Sequence, residues 1–215
     1  MRRTIFVLAT LLVATAPCLA KTETYAVSDK DGRDSASFTS DAPLELIQGH
    51  TSKVDGTVTI DDSLDLSKKP LEAQFDVDLA SIDTGIPLRN EHMRDNFLET
   101  KKYPKATFKV SSIAATPTVL KDGQTLKTKA TGEFSLHGVT TKREIPVDIT
   151  YHKMCKSQGK FLDCDLIQIK STFPVAFKDY KIQRPEIVFQ KLADTVIVTV
   201  SATAHKAAAA APAKK

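Results

Sequence analysis

The chain of 215 residues has no tryptophan, only three cysteines and eight glycines and, past its first twenty positions, no long apolar run. Each shortage closes off a class. Without a second apolar stretch of about 18 residues, no membrane-spanning helix is expected. Cys155 and Cys164 lack further ligands at zinc spacing, and neither a zinc nor a haem signature occurs, so no metal site and no cofactor are expected. No Gly-x-Ser-x-Gly elbow is present. The best acid–base pairing is His92 with Asp95, three apart, and Ser81 or Ser135 are the nucleophiles one would put beside it; these do not assemble a catalytic set. A non-enzymatic protein is expected. The pI of 8.8 invites a nucleic-acid reading until the charges are located. Of 30 Lys and Arg, five (Arg2, Arg3, Lys206, Lys214, Lys215) stand in the terminal segments, leaving 25 against 26 Asp and Glu. With no basic stripe to neutralise phosphates, DNA or RNA is not an expected partner.

What is present begins with MRRTIFVLATLLVATAPCLA: a basic start, an apolar run too short for a stop-transfer helix, and a small-x-Ala site. Residues 1–20 are therefore expected to be a signal peptide cleaved after Ala20, with a soluble, exported chain starting at Lys21. A lipid-modified Cys18 is the rival, disfavoured by Pro17. The Ala- and Lys-rich end, 205–215, has nothing to pack and is expected to be a disordered tail. That leaves 21–204 as one domain. Export also suits Cys155 and Cys164, which flank the Gly159 turn of a hairpin and are expected to pair across it.

Between these ends the dominant period is two. Leu71, Ala73, Phe75, Val77 and Leu79 alternate with Glu72, Gln74, Asp76 and Asp78, which puts the apolar set on one face of a strand. Similar strands are expected at 54–60, 106–113, 126–138, 142–154, 161–173 and 194–204, with a weaker first one through Tyr25–Val27 and Ala36–Thr39. Turns are expected at Lys121-Asp122-Gly123, at Gly138-Val139-Thr140-Thr141 and at Gln158-Gly159. Such a series predicts an all-β fold, an eight-stranded antiparallel barrel of the lipocalin kind. Its inward set includes Phe75, Phe108, Phe134, Leu136, Ile145, Val147 and Ile149, with Ala73, Ala130 and Gly132 between them. Alternation of large and small fits either a filled core or a lined tunnel.

One connection is longer than a hairpin needs. Between Asp83 and Lys105 the chain spends about twenty residues, RNEHMRDNFLETKKYPKATF among them. Glu91–Glu99 is rich in helix formers, and Met93, Phe97 and Leu98 recur near helical spacing, which predicts a short helix capping one mouth. His137, just before a turn and on the outward alternation, reads as a turn-stabilising side chain.

SIDTGIPLRNEHMRDNFLETKKYPKATF and GEFSLHGVTTKREIPVDI resemble the two most characteristic stretches of the YceI-like family, exported proteins that bind lipids and polyisoprenoids. The likeness runs over most of 22–204. It is looser in YAVSDKDGRDSASF, which lacks a histidine common near the first strand, and in DCDLIQIKSTFPVAFKDYKI. The resemblance implies a periplasmic barrel holding an isoprenoid or other long-chain lipid, with Phe75, Phe97, Tyr103, Phe108, Phe134, Leu136, Ile145 and Val147 lining its tunnel. Arg89, His92 and Arg94 then stand at the opening, where they either hydrogen-bond a head group or make ion pairs with Asp95 or Glu99 that fix the cap. The family's links to stress responses and b-type cytochromes leave a second reading, a filled barrel acting through its surface on a membrane or a membrane cytochrome. Related barrels often pair, so a homodimer is a further option.

Overall fold

The computed structural model describes residues 21–28, 32–69, 71–114, 118–157, 159–184 and 190–207, with backbone alone at 154–157 and 160–163. The expected signal peptide, most of the expected tail and the Cys155 side chain lie outside the described residues. The strands are β1 (Thr22–Val27), β2 (Ser35–Asp41), β3 (Leu46–Thr51), β4 (Val54–Asp61) and β5 (Glu72–Asp78), then β6 (Lys105–Ala114), β7 (Thr125–Leu136), β8 (Val139–Ser157), β9 (Lys160–Ala176) and β10 (Thr195–Lys206). Eight of them close an antiparallel barrel in the order β1-β4-β5-β6-β7-β8-β9-β10, with β10 returning to β1. The expected eight-stranded antiparallel barrel is the fold this chain adopts.

Alternation does the positioning. In β5, β6 and β7 the register sets Phe75 beside Phe108 and Phe108 beside Phe134, a row of rings across three neighbouring strands. A bulge in β6 between Val110 and Ser112 falls opposite Gly132, where any Cβ would stand 2.1 Å from the Lys109 carbonyl oxygen. Buried apolar residues form two groups. One, at the end where β1 closes the ring, centres on Tyr25, Ile60, Ile149, Tyr151 and Ile167. The other gathers Leu79, Ile82, Phe134, Phe173, Val175 and Tyr180.

The structure departs from the sequence expectation in four places. The weak first strand is two strands, and LIQGHT makes an unexpected third, β3, paired to β2. The helix starts earlier than Glu91: α1 spans Pro87–His92, with Pro87 at its first turn where a missing N–H costs nothing, and passes into a π-helical turn, Met93–Phe97. The β7–β8 turn is His137-Gly138, not Gly138–Thr141. Both have positive φ, 51° and 74°, the pattern of a two-residue type I′ hairpin turn. Finally, β10 runs to Lys206, two residues into the segment expected to be tail.

β2 and β3 do not extend the barrel at random. Along one edge of β10, Ile197–Ser201 pair with β2 while Ala204–Lys206 pair with β1. At the fork the Thr203 N–H would go without a strand partner, and the buried Asp34 accepts it at 2.7 Å through Oδ1. Asp34→Ala leaves that N–H unsatisfied and is expected to cost about 1–3 kcal/mol, whereas Asp34→Asn, which keeps the accepting oxygen, costs less. Urea denaturation checks this through the midpoint; equal losses in the two variants would contradict it.

Candidate functional site

The two buried groups do not meet in a solid centre. Between them lies a cavity of about 530 Å³, within the range of small-molecule sites, lined by side chains from all eight barrel strands except β1 and also from β2, β3 and α1. Its wall along the barrel is apolar apart from Ser37 and Ser171, with Leu71, Phe75 and Val77 on the β4–β5 side and Ile145, Val147 and Ile149 from β8. The polar members that come from loops and the helix, Glu45, Thr84, Arg89, His92 and Lys191, collect at one mouth. At that mouth β2 and β3 replace β1 in the wall. The outer edge of β3 has no strand partner among the described residues; it joins the segment leading into α1 by two backbone bonds between His50 and Asp83, 3.0 and 2.9 Å, and by a Thr51–Ser81 hydroxyl contact of 2.5 Å.

The Ser-Ile-Asp-Thr-Gly turn builds the frame of this opening. Buried Asn90 accepts from the Thr84 N–H and hydroxyl at 2.8 and 2.7 Å and donates to Asp83 Oδ1 at 2.6 Å. Asp83 also accepts the Gly85 N–H, and these two bonds, the Gly85 one foremost, hold its carboxyl below the usual range. Arg89 donates to Thr84 Oγ1 and Thr84 O, both at 2.9 Å, and to Glu45 Oε1 at 2.6 Å. Three of its five N–H groups are thus spent, two on the turn that leads into α1 and one on the segment before β3. A contact with Glu45 was not among the pairings weighed from the sequence, because 44 residues separate the two.

Of the eight expected tunnel residues, Phe75, Phe97, Phe108, Phe134, Leu136, Ile145 and Val147 line the cavity, and Tyr103 does not. Tyr103 instead lies edge-on to His137, with ring centroids 4.8 Å apart. Arg89 and His92 reach the mouth, whereas Arg94 is not part of the lining. Arg94 follows His92 by two residues and Arg89 by five, about 200° and 140° round a helix, which turns it off the face that those two share. Lys191, which sequence reasoning missed, stands at the mouth with Leu192. No histidine, cysteine or carboxylate cluster fit for a metal occurs among the described residues.

The YceI-like domain model matches residues 30–204. The chain belongs to the YceI-like family. Protein YceI of Escherichia coli O157:H7 is 35% identical over 95 residues, 44% of either chain, so the match spans less than half the length of that curated relative. A polyisoprenoid-binding domain from Saccharophagus degradans, implicated in plant cell wall breakdown, shares 20% identity at a TM-score of 0.64, over 87% of this chain and 100% of that one. BcnA of Burkholderia cenocepacia shares 20% at 0.59, over 80% and 96%. At such identities the likeness to the solved structures is one of fold.

Two polar clusters close this YceI-like barrel. Near the mouth, His137 contacts the Tyr180 carbonyl through Nδ1 at 3.1 Å and the Glu99 carboxylate through Nε2 at 2.7 Å. It ties the β7–β8 turn to the chain leaving the π-helical turn. At the far end, fully buried Tyr25 and buried Tyr151 both donate to Asp165 Oδ1, at 3.0 and 3.1 Å, and Lys206 meets Asp165 and Glu23 at 2.8 and 2.7 Å. Burial alone would push Asp165 up, but the hydrogen bonds from Lys206, Tyr25 and Tyr151 outweigh it and hold the carboxyl below its ordinary value. Burial, then the bond to Asp165, pushes Tyr151 from 10.0 up to about 12 and Tyr25 higher still. The depressed Asp165 lends stability that is present above its ordinary pKa of 3.8 and is lost as pH falls through its folded-state value. The raised Tyr151 lends stability that is whole below 10.0 and lost as pH climbs toward 12. Urea midpoints are therefore expected to hold a plateau and fall on both sides, with Tyr151→Phe flattening part of the alkaline fall; an unchanged alkaline limb in that variant would contradict the assignment.

Proposed function

We propose that this protein is an exported carrier that holds one long-chain amphiphile, an isoprenoid by preference, with its tail in the cavity and its head group at the mouth. The observation that carries this reading is the segregation within one cavity: apolar side chains along the barrel, and Glu45, Thr84, Arg89, His92 and Lys191 together at the opening. A small polar substrate would need polar partners deep inside. The polyisoprenoid-binding description of the Saccharophagus degradans domain supports the choice of ligand class, and the basic and apolar N-terminal segment supports export to the periplasm. In that compartment Cys155 and Cys164, on adjacent strands β8 and β9, pair and staple the hairpin end.

The energetics assign the work of selection to the mouth. Moving about ten methylenes from water to an apolar cavity is worth roughly 8 kcal/mol. A lipid that starts in a bilayer is already out of water, so this gain cancels and preference rests on fit and on the head group. Lys191, His92 and the two remaining Arg89 donors are the groups suited to an anionic or hydroxyl head. The role first expected of Arg94 passes to Lys191. The open cavity counts against a filled barrel that acts only through its surface, and the absence of an assembled nucleophile and base in the lining favours carriage over catalysis.

Displacement of a fluorescent polyprenol from residues 21–215, a segment that contains every described strand, tests the reading. Polyprenyl phosphate is expected to displace the probe one to one and more tightly than polyprenol. Lys191→Ala and His92→Ala each remove about tenfold of that preference, the scale of one charge-assisted bond, and leave polyprenol affinity unchanged. No displacement by either lipid, or equal losses for both, would overturn it.

A further inference from the structure

The mouth carries a feature that holding a ligand does not require. Of six large apolar side chains exposed among the described residues, four stand at this opening: Leu44 at 66%, Leu46 at 60%, Ile86 at 48% and Leu88 at 60%. They flank one seam. Glu45, between Leu44 and Leu46, is ion-paired at 2.6 Å to Arg89, the neighbour of Leu88. Ile86 and Leu88 belong at once to the exposed rim and to the cavity lining, so apolar surface runs unbroken from solvent into Met93 and Phe97. Val119, by contrast, stands alone at the closed end of the barrel, bridged to Asp65.

We infer that this rim is a membrane-docking face: Leu44, Leu46, Ile86 and Leu88 enter the head-group and acyl boundary of a bilayer and set the mouth against it. The inference rests on the carrier reading. A soluble protein leaves few apolar side chains clustered in water without a partner to cover them. Here the cluster borders the entrance of an apolar cavity, and a bilayer is the partner that covers the rim and supplies the cavity's ligand in one encounter. It also removes the aqueous step, in which a long tail would lose the contacts that both membrane and barrel offer. Ile86 just before α1 and Leu88 within it stand exposed beside the exposed His92, an arrangement that suits shallow, reversible insertion. A second copy seated on the same face would seal the entrance instead.

Flotation of residues 21–215 with vesicles of phosphatidylethanolamine and phosphatidylglycerol tests the docking; the apolar stretch 5–16 must be absent because it would partition by itself. The protein is expected to float with the vesicles, Leu44→Ser/Leu46→Ser, at two rim residues outside the cavity lining, to float about tenfold less, as expected for two lost insertions, and Val119→Ser to float as the parent does. Loading with fluorescent polyprenol from detergent solution is measured on each, and is expected to be equal. Parent and double variant floating alike would overturn docking while leaving carriage standing, provided both load. Failure of both to load would overturn the carrier reading and this inference with it. A parent dimer that the double variant dissociates, with flotation unaffected, would assign the face to a second copy and overturn the inference.

Discussion

A strand edge can give its backbone hydrogen bonds only once, and the edge of β10 divides them between two partners. Toward its C-terminus it feeds β1, which completes a tight eight-strand ring; toward its N-terminus it feeds β2, which carries β3 with it and widens the wall. Buried Asp34 fills the one position that neither partner reaches. The rest of the molecule follows from this fork. The closed end packs Tyr25, Ile60 and Ile167 around a satisfied carboxylate. The wide end has room for a cavity and leaves β3 with an edge that the His50–Asp83 bridge, the Thr51–Ser81 contact and the neighbouring Glu45–Arg89 pair hold to the helix segment.

This asymmetry makes the barrel a one-ended container. Hydrogen bonds at the floor join side chains far apart in sequence, Tyr25, Tyr151, Asp165 and Lys206, around one carboxylate, with both tyrosines buried. The Glu45–Arg89 pair at the mouth lies partly in solvent, where a charged pair contributes little to stability and is easily exchanged. The apolar wall between them supplies most of any affinity for a tail, yet discriminates poorly between one tail and another. On the carrier reading proposed above, the mouth therefore does the choosing, and its few polar groups count for more than their number.

The barrel itself was legible in the sequence because period-two alternation is local. Phe75, Phe108 and Phe134 fall on the inner face wherever the strands begin, and the long connection after Asp83 stood out by its length. β3 escaped notice for a physical reason. Gly49 occupies the inward position where a large side chain would have completed the pattern, and it must be glycine because the Phe38 ring lies 2.3 Å from where a Cβ would be. Helical spacing, at about 100° per residue, turns Arg94 off the face of Arg89 and His92, so its absence from the cavity lining was legible in the sequence once the helix was placed. Contacts that span the chain, such as Glu45 with Arg89 or Tyr25 with Asp165, leave no trace in a single sequence. Lys191 at the mouth and the apolar rim of Leu44, Leu46, Ile86 and Leu88 depend on tertiary placement in the same way.

The central claim is that a cavity of about 530 Å³ exists to be filled by a lipid. Its most direct test is mass spectrometry of the protein, isolated gently from the cells that make it and compared under native and denaturing conditions. The account predicts one defined added mass, of isoprenoid or long-chain lipid composition, that is present in the native spectrum and lost on denaturation. A bare protein mass that persists after incubation with polyprenyl phosphate, quinone and fatty acid would contradict it.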